Sequence, residues 1–211
     1  RPSYRNSMVE RDMWEGWRGV AGVKAAEPMG HTMFSARALD DSTLDDVVLW
    51  GIRPGSMLEP EVLAGEQLGR LDNGVIVSDR LLDRGIEIGD TIVLDRALTE
   101  LRVIGVTAEH NIGHVPIIYT PLRLWQEASY GPPGGPPAGD KLPDILYDFA
   151  SIIVLQIDPT ADPEVINSAD LDNGTQILVK DPASYEASRG FKEEVQTVQM
   201  IRGFLIVICA I

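Results

Sequence analysis

The sequence predicts an α+β fold, and three observations lead there. Between residues 46 and 157, short aliphatic runs of strand length alternate with Gly, Pro, Asn and Asp turn signals. Helix-spaced apolar residues stand at both ends instead: Met8, Met13, Trp14 and Trp17 in the first segment, Val195, Val198, Ile201, Leu205 and Ile208 in the last. The chain has 211 residues, 44% hydrophobic and 24% charged, which suits one domain of ordinary size or two small lobes.

Taken in order, Ser7 is placed to cap a helix over residues 8–18, with Gly19 and Gly22 stopping it. The two tryptophans there fit either an interfacial anchor or a packed core. Residues 20–39 have β character broken by Pro28 and Gly30. A short strand over 46–52 ends at Arg53-Pro54-Gly55, and the Pro- and Glu-rich stretch 58–69 is a loop or short helix. Asp72-Asn73-Gly74 turns the chain into a strand at 75–78. Residues 79–84 form a short helix closed by Gly85. Gly89-Asp90 turns into a strand at 91–94, followed by strands at 101–107 and 117–120. The run at 131–139, all Gly and Pro except Ala138, is an exposed loop, because proline donates no ladder bond and glycine resists order. Residues 150–157 make a strand, 163–169 a helix and 175–179 a further strand.

The last segment begins helix-like at Asp181-Pro182, an N-cap followed by proline at the first helical position. One apolar stripe then passes from a polar section into the unbroken run 204–211, with Arg202 at the boundary where a side chain snorkels to an interface. A membrane-crossing helix needs about 20 apolar residues. This run therefore reads either as a buried C-terminal element or as the start of a transmembrane helix cut short at Ile211. The amphipathic lead-in favours the second. The first residues show neither a start Met nor the apolar core of a signal peptide, so the chain reads as a piece of a longer protein.

Composition excludes some functions. Lys and Arg total 18 against 32 Asp and Glu, a net charge of −14 with no long basic run, which argues against a nucleic-acid partner. A single cysteine, Cys209, rules out an internal disulfide framework, and its apolar neighbours suppress the thiolate a nucleophile needs. His110 and His114 stand four apart, a zinc-binding spacing on a helix, but Asn111, Gly113 and Pro116 set them in a loop with incidental histidines. Asp40, Asp41, Asp45 and Asp46 do not match a calcium loop and read as a solvated turn. Tyr4, Met8, Met13 and the histidines include haem-ligand types, yet core or surface roles suit each better. No nucleophile elbow, phosphate loop or dinucleotide fingerprint occurs. The sequence thus offers no catalytic, cofactor-binding or metal-binding residue.

One resemblance stands above this background. Val47-Val48-Leu49-Trp50-Gly51-Ile52, then residues 74–82 (GVIVSDRLL), then Ile88-Gly89-Asp90-Thr91-Ile92-Val93-Leu94 follow one another as in the extracytoplasmic domain of MacB/FtsX-like ABC transporter permeases. Val103-Ile104-Gly105-Val106 and Ile118-Tyr119-Thr120-Pro121-Leu122 resemble the family's next two segments, and residues 191–211 resemble its junction with the second transmembrane span. The Pro/Gly run at 131–139 departs from the pattern.

The resemblance implies a two-lobed domain: a βαβ-type lobe from residues 1–45 and 146–190, a β-rich middle lobe over 46–145, and a stalk at 191–211 entering a truncated transmembrane helix. It also implies a place on the outer side of the cell membrane. The expected partners are a cytoplasmic ATPase subunit, a second permease copy, the lipid bilayer around the flanking helices, and an unidentified cargo or partner protein. Such a domain is not an enzyme and holds no cofactor; ATP is hydrolysed on the separate subunit. A non-transporting adaptor that regulates an extracytoplasmic partner is the alternative function, and a metal-dependent hydrolase using His110 and His114 a more distant one.

Overall fold

The computed structural model describes residues 8–39, 43–108, 111–112, 115–134, 141–162, 165 and 169. Most of the predicted helix at 163–169, the strand at 175–179 and the stalk at 191–211, with Cys209, His110, His114 and most of the Pro/Gly run, lie outside them. In chain order the elements are β1 (Val9–Glu10), α1 (Arg11–Trp17), β2 (Val23–Ala38), β3 (Thr43–Ile52), β4 (Val62–Gly65) and β5 (Gly74–Ser78). A 3-10 helix (Asp79–Arg84) precedes β6 (Thr91–Leu94), β7 (Thr99–Thr107), β8 (Asn111–Ile112), β9 (Val115–Pro121) and α2 (Leu122–Tyr130). A second 3-10 helix (Asp144–Asp148), β10 (Phe149–Ala150) and β11 (Ile152–Ile157) complete the order. The composition is mixed α+β and sheet-rich, as predicted.

The first helix is shorter than the sequence suggested. Val9 and Glu10 pair with Ala150 and Phe149, so extended backbone occupies the first turn expected of the helix. Glu10 takes the N-cap position in extended conformation. Trp14 and Trp17 are both buried, which settles their role as core. Trp14 packs with Val9, Ala150, Met13 and Ile153.

Pro28 and Gly30 do not break the second segment: β2 is one strand of 16 residues. Backbone direction explains why. The Met29 carbonyl accepts from the Ser151 N–H, and the His31 N–H donates to Ser151 Oγ at 3.0 Å, so odd-numbered residues here face β11. Pro28 therefore turns its missing donor to the opposite side. There the β3 pairing begins only at Gly30, so no ladder bond is lost. The predicted strand at 150–157 is interrupted at Ser151, which serves those two bonds and separates β10 from β11. Residues 58–69 also differ from expectation, since they contain β4. Gly65 at φ +88° lies against Gly105 of β7 there, and a Cβ on Gly105 would sit 2.5 Å from the Glu66 carbonyl oxygen. The turn and 3-10 helix at 79–85 follow the prediction, with Gly85 left-handed at φ +83°.

The pairing closes on itself. β2 pairs β3, β3 pairs β9 in parallel, β9 pairs β5, β5 pairs β7 in parallel, β7 pairs β6, and β6 returns to β2. Closure through β6 uses only residues 36–38 of β2; further along, β2 takes β11 on that side and β7 takes β4. One apolar cluster draws on all six strands of the ring, with Phe34, Val47, Val77, Leu94, Leu101 and Ile118 among its members. Strand alternation sends Val48, Ile52, Ile76, Ile117 and Tyr119 to a second cluster on the opposite face, where Ile152 and Val154 of β11 and Val62 of β4 join them. Burial on both faces explains why β3, β5 and β9 read as continuous apolar runs rather than alternating ones.

One buried tyrosine, Tyr119, and one half-buried, Tyr130, give this core an alkaline limit. Burial pushes the phenols of Tyr119 and Tyr130 each up to about 12. A folded-state pKa above the unfolded value near 10 gives stability that is complete below that value and is lost as pH rises through about 12. Urea midpoints should therefore fall between these two values, and Tyr119→Phe should flatten the decline. An unchanged slope in that variant would remove Tyr119 as its source.

Candidate functional site

The parallel pairing of β3 and β9 sets two strand ends side by side. Ile52 is in register with Pro121, so the chain leaves one strand at Arg53-Pro54 beside the point where it leaves the other into α2. The start of α1 and the 3-10 helix at Asp144–Asp148 approach the same place, and between them lies a cleft of about 320 Å³. Arg11, Arg53, Pro54, Pro121, Leu122, Arg123, Gln126 and Tyr147 line it.

Each arginine is paired with a carboxylate that does not itself line the cleft. Arg11 Nη2 pairs with Asp148 Oδ1 at 2.8 Å, and Arg123 Nε donates to Glu127 Oε1 at 3.2 Å. Arg53 gives Nε to Glu27 Oε2 at 2.7 Å and its Nη2 to the same oxygen. Glu27 is only 14% exposed in its side chain and also faces Arg18 Nη2 at 3.7 Å. Tyr147 donates its hydroxyl to Glu127 Oε1 at 2.9 Å, and the Arg123 guanidinium lies over its ring, 4.7 Å from the centroid. Burial and the bond to Glu127 raise the Tyr147 pKa, so the phenol stays protonated at neutral pH. The same carboxylate raises that of Arg123. Gln126, 2% exposed, donates to the carbonyls of Tyr147 and Phe149 and fixes this wall to α2.

Of the other chemistry-bearing residues, His31 and Asp46 have structural partners. His31 accepts from Trp50 Nε1 through Nδ1 at 3.0 Å. Asp46 accepts from Ser35 Oγ at 3.0 Å, while Asp40 and Asp41 lie outside the described residues. Among the described residues no group of three His, Cys, Asp or Glu is arranged to hold a metal ion. No helix among them is long and apolar enough to cross a membrane.

Sequence reasoning missed the cleft and the helix that forms its wall. For α2 a signal existed: Leu122, Trp125 and Ala128 are helix-spaced between Pro121 and Gly131. For the cleft none did, since Arg11, Arg53, Arg123 and Tyr147 come from four separate stretches of chain.

Comparison with known proteins places this architecture. No family model and no curated protein matches the chain. Solved structures do. The periplasmic region of MacB from Actinobacillus actinomycetemcomitans matches with a TM-score of 0.53 and 12% identity, over 75% of this chain and 69% of that one. The extracellular domain of the ABC-type transporter YknZ from Gram-positive bacteria matches with a TM-score of 0.52 and 18% identity, over 77% and 79%. A domain of a putative permease from Porphyromonas gingivalis gives 0.52 and 16%, over 77% and 68%. Family-like segments at 47–52, 74–82, 88–94, 103–106 and 118–122 fall on β3, β5 with its 3-10 helix, β6, β7 and β9 of this sheet. The described chain therefore has the fold of the extracytoplasmic domains of MacB-like ABC transporter permeases.

Proposed function

We propose that this chain is the extracytoplasmic domain of an ABC transporter permease subunit, carried outside the cytoplasm at the cell membrane. The observation that supports this best is the fold it shares, over about three quarters of its length, with domains of MacB and YknZ. The five family-like segments, in the family's order along the chain and all within one sheet, add a second line of support.

In this reading the domain has a βαβ-type lobe from residues 1–45 and 146–190 and a β-rich lobe over 46–145. Residues 191–211 are a stalk that continues into a transmembrane helix. The domain is not itself an enzyme: ATP is bound and hydrolysed by a separate cytoplasmic subunit, and two permease copies assemble with it. Closure of the ATPase moves the stalk, and the outer lobes tilt to drive efflux or release of a substrate. Such transmission needs a rigid element between two packed states of similar energy, and a continuous helix meets that need.

Proline is incompatible with a helix interior, costing about 3 kcal/mol or more. Val195→Pro in the intact permease is therefore expected to abolish transport while ATP binding by the partner subunit persists. Transport at the normal rate in that variant would eliminate the stalk as the transmitting element. Absence of cargo movement in the unmodified protein, with a partner enzyme dependent on it, would instead identify a regulatory adaptor.

A further inference from the structure

The permease reading gives the three arginines of the cleft no task. In a chain of net charge −14, a concavity whose charged lining residues are Arg11, Arg53 and Arg123 runs against the composition. Their carboxylate partners Asp148, Glu27 and Glu127 do not line it. The pairs therefore anchor the three arginines while the acids stay out of the lining.

We propose that this cleft binds a phosphate group, whether of a free phosphate or of a lipid headgroup. A guanidinium has five N–H donors in a fixed fork that matches phosphate oxygens two at a time. The pair with Asp148 runs through Nη2 of Arg11, and the pair with Glu127 through Nε of Arg123. With five N–H donors each, both keep further donors for a ligand while they stay anchored, which lowers the entropy lost on binding. A dianionic phosphate answers three guanidiniums better than a single carboxylate does. The Tyr147 side chain, buttressed by Arg123 and Glu127, forms one wall. Pro54, Pro121 and Leu122 supply apolar surface for whatever carries the phosphate. At about 320 Å³ the cleft is at the small end of ligand sites, which run from roughly 300 to 1,000 Å³, so it takes one group rather than a large molecule.

The test titrates the 211-residue chain with inorganic phosphate at constant ionic strength by calorimetry. In parallel, its sedimentation is followed with phosphatidylcholine vesicles, with and without phosphatidic acid. Saturable phosphate binding is expected with a Kd of about 1 mM, weakened about tenfold in Arg123→Gln and lost in Arg11→Gln/Arg123→Gln. Both arginines are half-exposed, so these variants should fold, and circular dichroism confirms it. Arg70→Gln makes the same charge change at an exposed pair with Glu66 and should bind as the parent does. Vesicle binding that requires both phosphatidic acid and Arg123, without binding of inorganic phosphate, assigns the site to a headgroup. No saturable binding in either assay, or equal loss in Arg70→Gln, overturns the proposal. Neither result bears on the permease reading, which rests on the fold.

Discussion

Gly30→Ala is expected to destabilise the protein by about 3 kcal/mol or more and to lower its Tm by roughly 10 °C. Gly30 of β2 and Gly51 of β3 are register partners, and together they form a slot for Trp125 of α2. A Cβ on Gly30 would overlap Cδ2, Cε2 and Cε3 of the indole, at the fused centre of a rigid ring system. A Cβ on Gly51 would meet Trp125 Cβ and lie 2.6 Å from its Cγ, atoms tied to the helix backbone. Neither clash is relieved by a side-chain rotation, so the indole must leave its place. That breaks its hydrogen bond to Thr32 Oγ1 (3.1 Å) and its edge contact with Tyr130 (centroids 5.4 Å apart).

The decisive comparison is a double-mutant cycle in urea. Trp125→Leu alone should cost about 3 kcal/mol, because it empties a fully buried site. Combined with Gly30→Ala the cost should fall well short of the sum, since the added methyl then enters space the indole has vacated. Additive effects, or a Gly30→Ala variant as stable as the parent, would show that the slot does not constrain the strand pair.

The second large effect is expected at the root of the cleft. Arg53→Met removes the closest cation from Glu27, whose mostly buried carboxylate then faces only Arg18 at 3.7 Å. An ion left partly desolvated costs more than the pair contributes. The loss should be about 2 kcal/mol, less than a fully buried site would give because the Arg53 side chain is 40% exposed. Adding Glu27→Gln should restore most of it, since the neutral amide no longer needs the partner. A single Arg53→Met variant within experimental error of the parent would mean that water, rather than Arg53, solvates Glu27.

Much of the fold was legible because its strands announce themselves locally. The segments at β3, β5, β6, β7 and β9 were found from aliphatic runs between turn residues, and Gly85 marked the end of the 3-10 helix. Pro28 and Gly30 misled because their usual meaning, a break, depends on what lies beside the backbone. Proline on the unpaired side of β2 breaks nothing, and glycine opposite a tryptophan is a packing requirement that appears only once α2 is in place. For β4, pairing with β7 decided the conformation, where the local Pro and Glu content indicated a loop. The cleft was illegible for another reason: its arginines converge through the parallel register of β3 and β9, a non-local fact. The tryptophans of α1 were ambiguous because an amphipathic ring suits an interface as well as a core, and burial alone decides between them.

The pairing of β1 with β10 and of β2 with β11 makes the early chain depend on the late chain. Val9 meets Ala150 and Val23 meets Ile157, so the segments on either side of α1 are both tied to the stretch that follows α2. A strand that loses its neighbour leaves backbone donors and acceptors without partners. It follows that a chain cut short before Phe149 should lose protection at both β1 and residues 23–29 of β2, and proteolysis should begin there.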